Sequence, residues 1–154
     1  HRPHAACIVP EKREERTTEG GLDVARHAEV LGRPIARLTE AGIEVSLFIA
    51  PISAQVRCAA ELKASRVEFH TGDYCGARGA MAERELEKLV RATEGAIALG
   101  LRVAGGHGLD YPNVAAVAAI PGMEELNIGH SIIARSVFVG MDRAVRDMLG
   151  LIGG

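Results

Sequence analysis

Two glycine-containing segments in the second half of the chain carry residues suited to proton transfer and anion binding. In Gly105-Gly106-His107-Gly108, the flanking glycines leave backbone N–H groups open to a ligand, and His107 can exchange a proton near neutral pH. The segment Asn127-Ile128-Gly129-His130-Ser131 ends an apolar run and opens a helical one. Because helix N-termini attract anions, Gly129 and His130 predict a phosphate site. A turn with an incidental histidine, and a helix capped by its serine, are the alternative interpretations.

Two further candidates lie in the first half of the chain. Glu68 lies within Arg66-Val67-Glu68-Phe69-His70, where strand alternation puts its carboxylate on the face opposite its two apolar neighbours. A carboxylate that points inward needs a partner or a function, and a structural pair with His70 is the alternative. Thr17, in Thr17-Thr18-Glu19-Gly20-Gly21, offers a hydroxyl to a second polar ligand, although a flexible polar loop would explain the same residues.

These candidates lie in or after four of five short apolar runs, most of which contain β-branched or aromatic residues. The runs predict buried strands at 6–10, 44–49, 66–70, 101–104 and 126–128. Helical periodicity predicts helices at 22–41, 53–64, 80–99 and 141–152. Within these, Pro34 is expected to open a second segment, Ser53 to cap a helix, and Gly42 and Gly100 to end helices. This alternation predicts a parallel sheet with functional residues at the carboxyl ends of its strands.

The composition indicates one ordinary globular domain over residues 1–154. Hydrophobic residues make up 47% and charged residues 25% of the chain, which allows a substantial core. The net charge of −2 gives no electrostatic basis for binding nucleic acid or an anionic membrane, and no apolar run approaches the roughly 20 residues of a membrane helix. Cys7, Cys58 and Cys75 lack the spacing of a disulfide framework or a zinc site, which favours the reducing cytoplasm.

Six motifs, in order and at matching spacing over essentially the whole chain, resemble the pyridoxine 5′-phosphate synthase family. They are Val9-Pro10-Glu11-Lys12-Arg13, Thr17-Thr18-Glu19-Gly20-Gly21-Leu22-Asp23-Val24, Val45-Ser46-Leu47-Phe48-Ile49, Glu68-Phe69-His70-Thr71-Gly72, Gly106-His107-Gly108-Leu109 and Glu125-Leu126-Asn127-Ile128-Gly129-His130-Ser131-Ile132-Ile133. The resemblance implies an α/β fold of the TIM (β/α)₈ barrel family, here a partial barrel of about five βα units. It also implies condensation of 3-amino-2-oxopropyl phosphate with 1-deoxy-D-xylulose 5-phosphate to pyridoxine 5′-phosphate, phosphate and water.

The same resemblance implies roles for individual residues. His107 would be the proton donor, and Glu68 would stabilise the transition state. Thr17 would contact 1-deoxy-D-xylulose 5-phosphate. The implied contacts to 3-amino-2-oxopropyl phosphate are Gly108, Gly129 and His130. The resemblance further implies that the two phosphate substrates are the small-molecule partners, that no metal or organic cofactor takes part, and that the protein is a homo-oligomer.

The chain also departs from the family pattern. It has no initiator Met, and the three βα units with which the family begins are not matched, which predicts a truncated chain with little or no activity alone. Ala50 and Ala104 stand where the family often has Asp and Asn. Two alternatives remain: a non-catalytic phosphate-binding or assembly module, and another barrel enzyme acting on a sugar phosphate. A Schiff-base aldolase is disfavoured because Lys12, Lys63 and Lys88 are expected on a loop or on helices.

Overall fold

The fold is a single parallel sheet with helices between its strands, as the alternating sequence pattern predicts. The computed structural model describes residues 2–10 and 20–153. The strands are β1 (Ala5–Ile8), β2 (Glu44–Ile49), β3 (Arg66–His70), β4 (Arg102–Gly106) and β5 (Met123–Asn127). Each strand pairs in parallel with the next one in the chain, in the order β1-β2-β3-β4-β5. This order is that of part of a (β/α)₈ barrel.

Helices connect these strands and follow the last one. Over the described part of the chain they are α1 (Val24–Glu40), α2 (Ser53–Glu61), α3 (Gly72–Gly76), α4 (Ala80–Ala98), α5 (Val114–Ala118), α6 (His130–Val139) and α7 (Met141–Leu149). No helix among the described residues is both long enough and apolar enough to cross a membrane.

The hydrophobic core lies between the sheet and the helices that pack on it. Val67 and Phe69 of β3 are fully buried in this core, together with Leu89 and Ala96 of α4. Glu68, which lies between the first two, borders a hollow on the other face of the sheet. One face of β3 therefore packs in the core and the other faces the hollow, as the alternation of its side chains predicts.

Two of the five predicted strands have the observed bounds. The strands at 44–49 and 66–70 coincide with β2 and β3, but β5 begins at Met123 rather than at residue 126. Two of its three extra residues, Glu124 and Glu125, are acidic and give no strand signal in the sequence. In the fold, Glu124 accepts a hydrogen bond from Arg102 at 2.7 Å, and Glu125 accepts one from Arg66 at 2.5 Å. These cross-strand ion pairs accommodate the carboxylates in a strand.

Two helix-start predictions are wrong. Pro34 lies inside α1, whose one irregular residue is His27, with φ −111° and ψ 16°. Pro34 has no N–H, so the carbonyl of Val30 lacks its hydrogen-bond partner in the helix. Both residues are exposed, and water can bond that carbonyl instead. Ser53 is the first helical residue of α2 and makes no capping bond, because Ile52 occupies the N-cap position.

The helix ends agree with the sequence. Gly42 and Gly100 follow α1 and α4 with φ of +71° and +79°, a conformation that glycine adopts without strain. The short helices α3 and α5 were not predicted, since five residues give too little periodicity to recognise.

Candidate active site

The carboxyl ends of the strands border an open hollow of about 630 Å³. Five of the six predicted site residues line it, and they come from β3 and from the segments after β4 and β5. These five residues are Glu68, His107, Gly108, Gly129 and His130. Thr17, the sixth, lies outside the described residues. Because the five are brought together from distant parts of the chain, the predicted clustering at one rim of the sheet is confirmed for them.

His107 presents its side chain from a backbone conformation that non-glycine residues rarely adopt. Its φ is +78°, and the residue is exposed at the hollow. Such a conformation costs on the order of 1–3 kcal/mol and persists only where neighbouring contacts impose it. Thr71, which is 1% exposed, shares its one hydroxyl proton between the carbonyls of Gly106 and His107, at 2.8 and 2.6 Å. The strained backbone is therefore held from the adjacent strand.

Residues 106–109, the last residue of β4 and the three after it, are held through their backbone oxygens. Besides the two carbonyls that Thr71 reaches, the Gly108 carbonyl accepts from the Asn113 side chain at 3.4 Å. The Leu109 carbonyl accepts from the Ser131 hydroxyl at 2.8 Å. Four consecutive carbonyls, those of residues 106–109, thus each accept a hydrogen bond from a side chain elsewhere.

His70 does not pair with Glu68, contrary to the alternative drawn from the sequence. Its ring stacks on that of His107, with centroids 4.8 Å apart and planes at 30°, and meets Phe48 edge-on at 5.5 Å. The buried Nε2 of His70 has no hydrogen-bond partner among the described residues. Burial lowers the pKa of His70, and the neighbouring His107 lowers that pKa further.

Glu68 faces the hollow with a thiol as its hydrogen-bond donor. The Cys7 sulfur lies 3.7 Å from Glu68 Oε2. Burial raises the pKa of Glu68, while hydrogen bonds from Asn127 and Cys7 act in the opposite direction. Burial and then the charge of Glu68 raise the pKa of Cys7 to about 11, although the residue as a whole is exposed. Cys7 is therefore protonated at neutral pH and acts as a donor rather than a nucleophile.

The predicted phosphate corner is the start of helix α6. Gly129 is its N-cap residue, His130 is its first helical residue, and both line the hollow. The sequence allowed Ser131 to cap this helix, but that is wrong, since its hydroxyl donates to the Leu109 carbonyl. No side chain caps α6. An uncapped helix N-terminus that opens on a hollow suits an anion, because its first N–H groups have no acceptor within the helix.

The described residues that follow Thr17 in the chain reach the same rim. Leu22 N donates to the carbonyl of Phe48 at 2.7 Å, and Phe48 lines the hollow. A Cβ on Gly21 would collide with the backbone at the end of β2, so only glycine allows this close approach. Gly21 and Leu22 are therefore fixed beside β2, and the contact of Thr17 stays a prediction.

Three residues that present a polar or aromatic side chain to the hollow were not singled out in the sequence: Cys7, Phe48 and Asp110. Asp110 follows the Gly-His-Gly stretch by two residues, so widening that motif would have included it. Cys7 and Phe48 lie inside apolar runs, where a hollow-facing residue resembles a core residue.

No metal site is found among the described residues, where no three or more His, Cys, Asp and Glu side chains are grouped to hold an ion. Two of the three lysines weighed for Schiff-base chemistry lie away from strand ends, as predicted. Lys63 lies in the turn after α2, and Lys88 on α4 is paired with Glu85 at 2.7 Å. Lys12 lies outside the described residues.

The whole chain matches one protein family. The sequence profile of the family described as "Pyridoxal phosphate biosynthesis protein PdxJ" covers residues 1–154. The chain belongs to this family. Among its relatives, the pyridoxine 5′-phosphate synthase of Crocosphaera subtropica is 54% identical over 148 residues, which are 96% of this chain and 62% of the relative. That of Syntrophotalea carbinolica is 53% identical over 154 residues, which are 99% of this chain and 64% of the relative.

The chain thus spans between three fifths and two thirds of the length of these PdxJ relatives. Two alanines stand at positions where the sequence resemblance predicts Asp and Asn. Ala104, 1% exposed, stands in register between Glu68 and Glu125, so that a methyl group lies between these two residues. Ala50 follows β2 beside Gly21. With Ala at position 104, the side chains that hydrogen-bond Glu68 are those of Cys7 and Asn127.

Proposed function

We propose that this chain forms part of a pyridoxine 5′-phosphate synthase, which condenses 3-amino-2-oxopropyl phosphate with 1-deoxy-D-xylulose 5-phosphate. The products are pyridoxine 5′-phosphate, phosphate and water. One observation carries the proposal: Glu68, His107 and Gly129, each from a different motif of the family, line one hollow at the carboxyl ends of the strands. In barrel enzymes this rim is where substrates bind.

His107 donates a proton to the reacting substrates in this proposal. Its exposed imidazole and its restrained backbone support the role, because a proton donor must be held within reach of the atom it serves. Glu68 stabilises positive charge that develops during ring closure. Burial destabilises the charged form of this carboxyl group. A cation that forms beside the carboxylate is therefore strongly stabilised by it.

The two phosphate substrates bind on different sides of the hollow. Gly108, Gly129 and His130 bind 3-amino-2-oxopropyl phosphate, supported by the uncapped N-terminus of α6. Thr17 binds 1-deoxy-D-xylulose 5-phosphate from the loop that ends beside β2. Neither substrate needs a metal or organic cofactor in this scheme, since the chemistry consists of proton transfers and Schiff-base formation between the substrates.

The remaining length of the PdxJ relatives suggests how the site is completed. Further βα units would close the barrel over the inner face of β1 and β5 and would supply the other proton-transfer groups. We expect the complete enzyme to be a homo-oligomer in the cytoplasm. The three cysteines are all free, which is compatible with a reducing compartment.

A chimera tests this function. The chain replaces the matching 62% of the Crocosphaera subtropica relative, and the rest of that protein supplies the remaining units. Pyridoxine 5′-phosphate formation from both substrates is then measured. The chimera should turn over, whereas the 154-residue chain alone should show little or no activity.

Two histidine variants of the chimera examine the assigned proton donor. His107→Asn should lower kcat by roughly 10²- to 10⁴-fold, the usual worth of a general acid, since Asn tolerates the positive φ but transfers no proton. His27→Asn, at an exposed position on α1, is the matched control and should leave kcat unchanged. A folded chimera that binds phosphate without turnover, or equal activity of the two variants, contradicts the proposal.

A further inference from the structure

His70 lies behind His107 at the edge of the hollow, and the proposed function gives it no role. It ends β3, and its ring lies 4.8 Å from that of His107 in a stacked arrangement. We propose that His70 is a positioning residue, whose ring fixes the plane of the His107 imidazole. This inference rests on the proposed function, in which His107 is the proton donor.

Three consecutive residues hold His107 from the side of β3. His70 packs against its ring, and Thr71 binds its carbonyl. Gly72 leaves the space that both rings occupy, because a Cβ there would lie 2.5 Å from His70 Cε1 and 3.3 Å from His107 Cδ2. The His70-Thr71-Gly72 segment therefore fits both the side chain and the backbone of His107.

The His70 ring is itself held in place. Phe48 meets it edge-on, with ring planes at 87° and centroids 5.5 Å apart. Edge-to-face and stacked contacts of this kind favour specific ring orientations. With Phe48 on one side and His107 on the other, the His70 ring is a fixed surface against which the exposed imidazole rests. An exposed side chain without such a surface would sample several rotamers.

Electrostatics keep the second proton off His70. Two charged imidazoles at this separation repel, and the buried Nε2 of His70 has no acceptor among the described residues for a proton it might carry. The titratable groups that act on it are His107 and, on α3, Asp73. Asp73 favours the charged form of His70, but burial acts more strongly in the opposite direction. The charged form of His70 is therefore disfavoured, and its ring offers His107 a neutral surface.

Two substitutions of His70 in the chimera distinguish the effect of its flat ring from the effect of its side-chain volume. His70→Phe keeps a flat face against His107, whereas His70→Leu keeps apolar bulk without that face. We expect His70→Phe to retain kcat within about twofold and His70→Leu to lose roughly tenfold, with KM nearly unchanged in both, because one aromatic contact is worth about this much. If His70 had a purely structural role, the substitutions would instead lower the melting temperature without a selective loss of kcat at constant KM.

A spectroscopic measurement on the 154-residue chain is independent of turnover. The ring protons of His107, assigned through the His107→Asn variant, should resonate upfield in the wild type and in His70→Phe because of the stacked ring. In His70→Leu they should move downfield. If His70→Leu does not fold, Gly72→Ala perturbs the same contact from the other side.

Equal kcat in the folded Leu and Phe variants, or His107 resonances that are the same in all three chains, would overturn the inference. An inactive wild-type chimera would instead refute the proposed function, while the resonances would still decide the role of His70. The two failures are therefore distinguishable.

Discussion

Thr71→Val should lower the free energy of unfolding by about 1–2 kcal/mol. Val has nearly the shape of Thr but lacks the hydroxyl that bonds the carbonyls of Gly106 and His107. The Gly106 carbonyl keeps a bond from the backbone N–H of residue 71 at 2.8 Å. The His107 carbonyl keeps only a weak donor, the Cys75 thiol at 3.7 Å. The loss is therefore about one buried hydrogen bond and one poorly satisfied acceptor, each worth about 1 kcal/mol.

Thr93→Val is the matched control for this substitution. Thr93 on α4 is fully buried, and its hydroxyl has no hydrogen-bond partner among the described residues. The same change there should be neutral or stabilising, because it removes an unpaired buried polar group. The two variants thus carry the same Thr→Val substitution at comparably buried positions, but the free energy of unfolding is expected to change in opposite directions.

Urea denaturation of the 154-residue chain measures the difference. Thr71→Val should lower the midpoint at an unchanged slope, and the melting temperature should fall by about 2–8 °C. In the chimera, Thr71→Val should also reduce kcat, while Thr71→Ser, which keeps the hydroxyl, should restore most of it. If Thr93→Val proves as destabilising as Thr71→Val, the assignment of the effect to the carbonyl bonds is wrong.

Three further predictions concern the floor of the hollow. Because burial raises the folded pKa of Glu68 above its unfolded value, wild-type stability falls as pH rises through that pKa. Glu68→Gln should match the wild type near pH 4 and exceed it at pH 7 in denaturant titrations, and equal stability at both would refute this. Cys7, with a pKa of about 11, should react with iodoacetamide at pH 8 on the order of a hundredfold more slowly than a free cysteine. Peptide mass spectrometry measures the rate of alkylation, and the rate of a free cysteine would contradict the prediction. Gly106→Ala, whose Cβ would meet Glu68 Oε1 at 2.5 Å, should cost about 1–3 kcal/mol on denaturation. Gly95→Ala, in open space on α4, should gain about 0.5–1 kcal/mol, and the reverse order would exclude the steric argument.

The sequence predicts the faces of strands better than the contacts that side chains make. Alternation in β3 correctly separates Glu68 from Val67 and Phe69, because the period of a strand is fixed by its backbone. The same reasoning assigns His70 to the Glu68 side but pairs it with the wrong partner. Its stacking on His107 depends on a strand more than thirty residues away and on a rotamer, and neither is encoded in local periodicity.

The site residues show the same limit. The rule that parallel strands end at one rim is enough to bring His107 and His130 to a common hollow. The partner of Ser131 could not be read in this way, because a hydroxyl at a helix start can cap the helix or reach a neighbouring loop. Its bond to the Leu109 carbonyl joins the segments that follow β4 and β5, and this contact depends on the tertiary fold.

The loop after β4 owes much of its shape to hydrogen bonds on its main chain. Side chains bond the main-chain oxygens of residues 106–109, and these bonds do not depend on the side chain at position 107. An acid or base that tolerates the positive φ of this position would therefore stand at the same point of the rim as the imidazole, but without the stacked contact to His70. Changes in the reaction chemistry and in the architecture of the loop can therefore be acquired separately, which makes this corner a natural starting point for laboratory evolution of new activities on the same scaffold.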